Sequence, residues 1–119
     1  MKKCVARIRK IYPRSAVMIV SASDMATRSH STGKVRTMPA VEPLVRYQQK
    51  MAEEMGVGFI NFYDMMGGRN SVMSMAERHL AEKDYVHVNR RGGKMLAEKF
   101  TKSFVAGYDN YKRKKAAGY

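Results

Sequence analysis

The sequence contains one cysteine, Cys4, and only 10 acidic residues against 23 lysines and arginines. A lone thiol can form no internal disulfide and has no partner for a structural zinc site, so neither kind of staple is expected and the redox compartment stays open. Long apolar runs are missing as well. The longest, Ala16 to Val20, falls far short of the roughly 20 residues needed to cross a membrane. The opening "MKKCVARIRKIYPR" places charges where a signal peptide needs about 7–15 apolar residues. The chain therefore reads as soluble and without an export signal. The shortage of acid leaves a formal net charge of +13. That excess suits a partner rich in phosphate or carboxylate, and it is equally what remains if an acidic portion of a larger protein is absent.

At 119 residues the chain is expected to be a single domain or part of one. Cys4, Val5, Ile8 and Ile11 fall on one helical face, and Pro13 closes that segment. "AVMIV" at 16 to 20 is short, continuous and β-branched, which predicts a strand buried on both faces in a parallel sheet. After the polar "SASD", residues 25 to 38 lack periodicity and read as a surface loop that carries His30. From Pro39 onward, Val41, Leu44, Val45, Gln48, Met51, Ala52 and Met55 recur at three and four, with Gly56 at the helix end. "VGFINF" at 57 to 62 predicts a second buried strand, with the polar Asp64 beyond it. A glycine turn and a short helix capped by Ser71 or Asn70 follow. Asn89 can cap a last helix striped by Leu96, Ala97, Phe100, Phe104, Tyr108 and Tyr111, before a solvated basic tail at 112 to 119. The 11 methionines read as adaptable core filling. Alternation of helix and strand predicts an α/β fold with crossover helices on a parallel sheet. Two strands alone make a poor sheet, which suggests an incomplete domain.

The chemistry-bearing stretch is "KDYVHVNRRGGKMLAEKF", residues 83 to 100. A histidine becomes a general base when an acceptor fixes its tautomer and stabilises the imidazolium. At i and i+3 of one helical turn, Asp84 can reach the ring of His87 without long-range folding. Spacing alone also fits a capping aspartate beside a surface histidine. A metal site made of His79, Asp84 and His87 has no recognised zinc spacing. "GGRN" at 67 to 70 reads as a turn, with an oxyanion element as the competing reading.

The surroundings of the pair resemble the C-terminal catalytic block of the SGNH, or GDSL-type, esterases and acylhydrolases. In that block an Asp-x-x-His precedes an apolar residue, a helix-capping Ser, Thr or Asn, a glycine and an alanine. Asp84, His87, Val88, Asn89, Gly92 and Ala97 occupy those places. Upstream, "IRKIYPRSAVMIVSASD" is similar to the helix, proline and fourth strand of bacterial members. "QQKMAEEMGVGFINFYDMMGGRNSVMSMAERHLAEKDYVH" is similar to relatives of peptidoglycan O-acetylesterases. The resemblance implies the C-terminal part of a three-layer, flavodoxin-like SGNH hydrolase fold. It also implies His87 as general base, Asp84 as its orienter, a Ser-His-Asp mechanism without cofactor or metal, and an ester substrate, most plausibly an acylated carbohydrate. The family's Gly-Asp-Ser nucleophile block and its oxyanion residues are absent from this sequence. The N-terminal half of the domain is thus expected to be missing and the isolated chain inactive. Uncovered sheet edge and helix face then favour self-association. Localisation stays open, since relatives are often exported or periplasmic. A small basic module for nucleic acid or another anionic polymer competes with this reading. Its basic residues are spread along the chain, however, and no nucleic-acid-binding motif appears.

Overall fold

The computed structural model describes residues 1 to 118. They form two units by internal contact, the first ending at Ser71 and the second starting at Val72. In the first unit the amphipathic spacing at the N-terminus produces helix α1, Lys2–Ile11, ahead of Pro13. Of its apolar face only Val5 is buried. The Arg9 guanidinium donates to the carbonyls of Met55 (2.5 Å) and Gly56 (3.1 Å), and Lys2 pairs with Glu54. A cation thus meets the unsatisfied carbonyls at the end of helix α2, Val41–Met55, where the dipole favours positive charge. Gly56 terminates α2 in the left-handed region at φ 60°, and the Val57 N–H reaches back to the Ala52 carbonyl at 3.0 Å.

Strand β1 is Met18–Val20, and a second strand, β4 below, is Gly58–Ile60; they pair in parallel with Ile19 opposite Phe59. Helix α2 lies between them in sequence, as the crossover of a βαβ unit requires. The expected parallel α/β arrangement is therefore present. Burial of β1 on both faces is not: Met18 is 45% and Val20 51% exposed. A pair of strands without neighbours leaves one pleated face of β1 uncovered, and hydropathy alone does not report that.

The expected loop at 25 to 38 is instead a hairpin. Strands β2, Ala26–Arg28, and β3, Val35–Thr37, pair antiparallel around a turn in which Gly33 has φ 68°. Three residues per strand are too few to show an alternating pattern, and burial of Ala26 and Thr37 holds them. His30 lies exposed in the turn. Strand β4 also stops earlier than expected. The Asn61 carboxamide oxygen accepts from the Asp64 N–H at 3.0 Å, starting helix α3, Phe62–Met66, and Gly67 ends that helix at φ 117°. Val41, Val45 and Tyr63 form a buried cluster against Ala22, Met25, Met38 and Phe59.

Helix α4, Ser71–Glu77, spans the unit boundary. The Asn70 and Ser71 side chains, expected as its caps, are directed at Thr37 and Asp24. Helix α5, Arg90–Ala116, begins on Asn89 as expected, its side-chain oxygen accepting from the Gly92 N–H at 3.0 Å. Leu96 is buried, whereas every described residue from Thr101 onward is exposed, Phe104, Tyr108 and Tyr111 included. The basic segment is solvated as expected, but as the last turns of α5; its final residue, Tyr119, lies outside the described residues. Met51, Met66 and Met75 are buried, in keeping with methionine as core filling.

Candidate active site

Residues 79 to 92 fold into one corner. His79 leaves α4 in the left-handed region at φ 58°, and Ala81 and Val88 form an isolated antiparallel bridge. Within the bridge the chain reverses. The Glu82 N–H donates to the His87 carbonyl at 2.8 Å, and Tyr85, at φ 59°, turns back to Glu82. Asp84 stabilises this reversal, its Oδ1 accepting from the backbone N–H of Val86 (2.9 Å) and His87 (3.0 Å). The geometry is an aspartate-stabilised turn in the loop directly before α5. A carboxylate that accepts two backbone N–H groups offers the chain a competitor to the helix.

The second carboxylate oxygen completes the pair. Asp84 Oδ2 lies 2.6 Å from His87 Nδ1. The hydrogen bond from His87 first, then the N–H groups of His87 and Val86, hold the Asp84 carboxyl at about 2. Asp84 is thus an anion at neutral pH, so Nδ1 must be the donor. The neutral imidazole then carries its lone pair on Nε2, on the ring side away from Asp84. The hydrogen bond from Asp84, with its charge, raises His87 above the ordinary histidine value. Both side chains face solvent, His87 at 75% and Asp84 at 47% exposure.

Because His87 is raised, the ion pair favours the folded chain below the ordinary histidine value, and that contribution fades as pH climbs through the raised one. Because Asp84 is depressed, its share is present above the ordinary carboxyl value and fades as pH falls toward about 2. Titration of the His87 ring by NMR is expected to give a midpoint above 6.5, moved down by Asp84→Asn. A midpoint at or below 6.5 in the native chain would contradict the hydrogen-bonded geometry.

Asn89 and Gly92 fasten the corner to α5. Asn89 Nδ2 donates to the His79 carbonyl (2.8 Å) while its backbone N–H donates to Leu80 (3.2 Å). A Cβ on Gly92 would fall 1.9 Å from the Leu80 carbonyl oxygen and 2.7 Å from Val88 Cγ1. Only glycine admits that approach. Arg90 and Arg91 are exposed. His79 lies beyond α4 rather than on it, and among the described residues no group of three His, Cys, Asp or Glu is placed to hold a metal ion.

Two polar clusters escaped the sequence reading, both in the first unit. Asp24 is fully buried and accepts from Thr37 Oγ1 (2.8 Å) and Ser71 Oγ (3.4 Å). Thr37 Oγ1 in turn accepts from the Asn70 N–H at 2.7 Å. Glu42 takes both prongs of Arg69, Nε at 2.9 Å and Nη2 at 2.8 Å, together with the Tyr63 hydroxyl at 2.9 Å. Arg69 first and Tyr63 second hold Glu42 at about 2, while burial, then Glu42, pushes Tyr63 up to about 12. Their members are far apart in sequence. The one available hint was a polar residue directly after a strand.

No protein-family model matches the sequence, and no curated protein matches it. Among solved structures, one of a peptidoglycan O-acetylesterase superposes with a TM-score of 0.77 at 22% identity, over 88% of this chain and 30% of that one. The chain thus spans about a third of that esterase's length. At this identity the likeness is one of fold, and it agrees with the α/β architecture expected from the sequence. In fold, the chain corresponds to a portion of that esterase.

Proposed function

We propose that this chain supplies the general base and its orienting acid to an ester hydrolase of the SGNH type. The observation that carries the reading is the 2.6 Å contact between His87 Nδ1 and Asp84 Oδ2, on a turn that leaves Nε2 as the basic nitrogen. In the reaction a serine hydroxyl attacks the ester carbonyl carbon and passes its proton to His87 Nε2. Asp84 stabilises the imidazolium, which then protonates the departing alkoxide. Water, deprotonated by the same nitrogen, releases the acyl group and regenerates the serine. The nucleophile and the oxyanion donors belong to a Gly-Asp-Ser half of the domain that this sequence does not contain. The fold likeness to a peptidoglycan O-acetylesterase supports an acetyl or other short acyl ester of a carbohydrate as substrate.

A base without a nucleophile has nothing to activate. The chain alone is expected to hydrolyse p-nitrophenyl acetate at the background rate, with His87→Ala indistinguishable from it. Mixed with the Gly-Asp-Ser half of a related esterase, it is expected to give a rate that His87→Ala lowers by roughly 10²–10⁴. A His87-dependent rate from the chain alone would show that the hydroxyl lies within it after all.

A further inference from the structure

The Glu42–Arg69 and Asp24–Thr37 clusters border one cleft of about 460 Å³, lined by Arg36, Thr37, Met38, Glu42, Arg69 and Asn70 among others. This volume is in the usual range for small-molecule sites. Its polar lining is fixed in advance. Thr37 N–H is only a donor, so the Asn70 atom 3.1 Å from it must be the carboxamide oxygen. The amide NH₂ of Asn70 is consequently the free end, with no protein acceptor among the described residues. Asn70 holds a left-handed backbone, φ 62°, a conformation that asparagine adopts more readily than other residues with a side chain. Here the buried Asp24 fixes Thr37, and Thr37 fixes Asn70 at both its N–H and its side chain.

Arg69 is oriented by a bidentate ion pair. Two of its five N–H donors engage Glu42, leaving three on the guanidinium. Arg36 adds an exposed cation whose side chain has no partner among the described residues. Two arginines against one carboxylate leave the cleft positive, and Met38 offers apolar surface beside them. Planar arginine forks and an amide NH₂ are donors only, a set that recognises an oxyanion such as a carboxylate.

We infer that this cleft binds the carboxylate of an acidic saccharide, held by Arg36, the free edge of Arg69 and the Asn70 amide. An oxyanion follows from the cleft alone; that it is the carboxylate of a sugar rests on the ester-hydrolase reading.

The test is a titration of the full ¹⁵N-labelled chain with sodium glucuronate, glucose, acetate and inorganic phosphate, following the Asn70 side-chain amide and the backbone amides of Arg36 and Arg69. Glucuronate is expected to shift these signals saturably with a Kd on the order of 1 mM, and glucose to leave them unmoved. Arg36→Gln, at an exposed position without a structural partner, is expected to weaken binding about tenfold. No saturable shift, an equal response to glucose, or an unchanged Arg36→Gln would overturn the site. Phosphate binding at least as tightly would make it a general anion site and overturn the carboxylate. Acetate binding as tightly as glucuronate would remove the sugar and keep the carboxylate. His87-dependent hydrolysis plays no part in the titration, so failure of the hydrolase reading registers separately.

Discussion

Gly92→Ala is expected to destabilise the second unit by about 3 kcal/mol or more, the upper range for overpacking, because the obstruction is backbone rather than a movable side chain. The added carbon would sit 1.9 Å from the Leu80 carbonyl oxygen, and that carbonyl already accepts from Asn89 N–H. Relief requires the start of α5 to part from residues 79 to 82. The Asn89 cap and the bond from Asn89 to His79 then go together, and the Asp84–His87 turn loses its anchor. Urea denaturation gives the stability change, and the His87 ring resonances report the corner directly. Gly93→Ala is the matched control. Nothing lies within 4 Å of its Cβ, so alanine in place of glycine inside α5 is expected to stabilise by about 0.5–1 kcal/mol. If both variants lie within about 0.5 kcal/mol of the parent, the tight approach at Gly92 is not what holds the corner.

Asp24→Ala is expected to cost about 3 kcal/mol, again readable by denaturant titration. The side chain is fully buried and is the acceptor for Thr37 and Ser71. Its removal leaves two hydroxyls without their partner and a void beneath the β3 hairpin strand. Asp24→Asn keeps one acceptor oxygen at nearly the same volume and is expected to lose clearly less. Equal losses for the two variants would mean that packing, not hydrogen bonding, is what Asp24 contributes.

The contrast between the two clusters and the corner explains what could be read in advance. Asp84, His87, Asn89 and Gly92 lie within nine residues, so their interactions are legible as spacing, down to the cap on α5. The same holds for α2 and its Gly56 terminus, where period and punctuation agree. Asp24, Thr37, Asn70 and Ser71 meet only after β2, β3 and α3 are placed. No window of sequence holds them, and the hairpin that presents Thr37 is too short to declare itself. The exposed face of β1 is illegible in the sequence for a related reason. Burial depends on how many layers cover a strand, whereas the apolar run at 16 to 20 reports only that it could be covered.

The closeness in sequence of Asp84 and His87 has a kinetic side. Closing a loop of three residues takes tens of nanoseconds or less, and the entropy lost is small compared with that of joining Asp24 to Ser71. The corner is therefore free to form early, with α5 nucleating on Asn89 while the parallel strand pair, which must wait for α2 to cross over, closes late. A histidine and its orienter assembled in this way behave as a self-contained cassette, whose geometry depends on fourteen consecutive residues, 79 to 92, more than on the parallel strand pair.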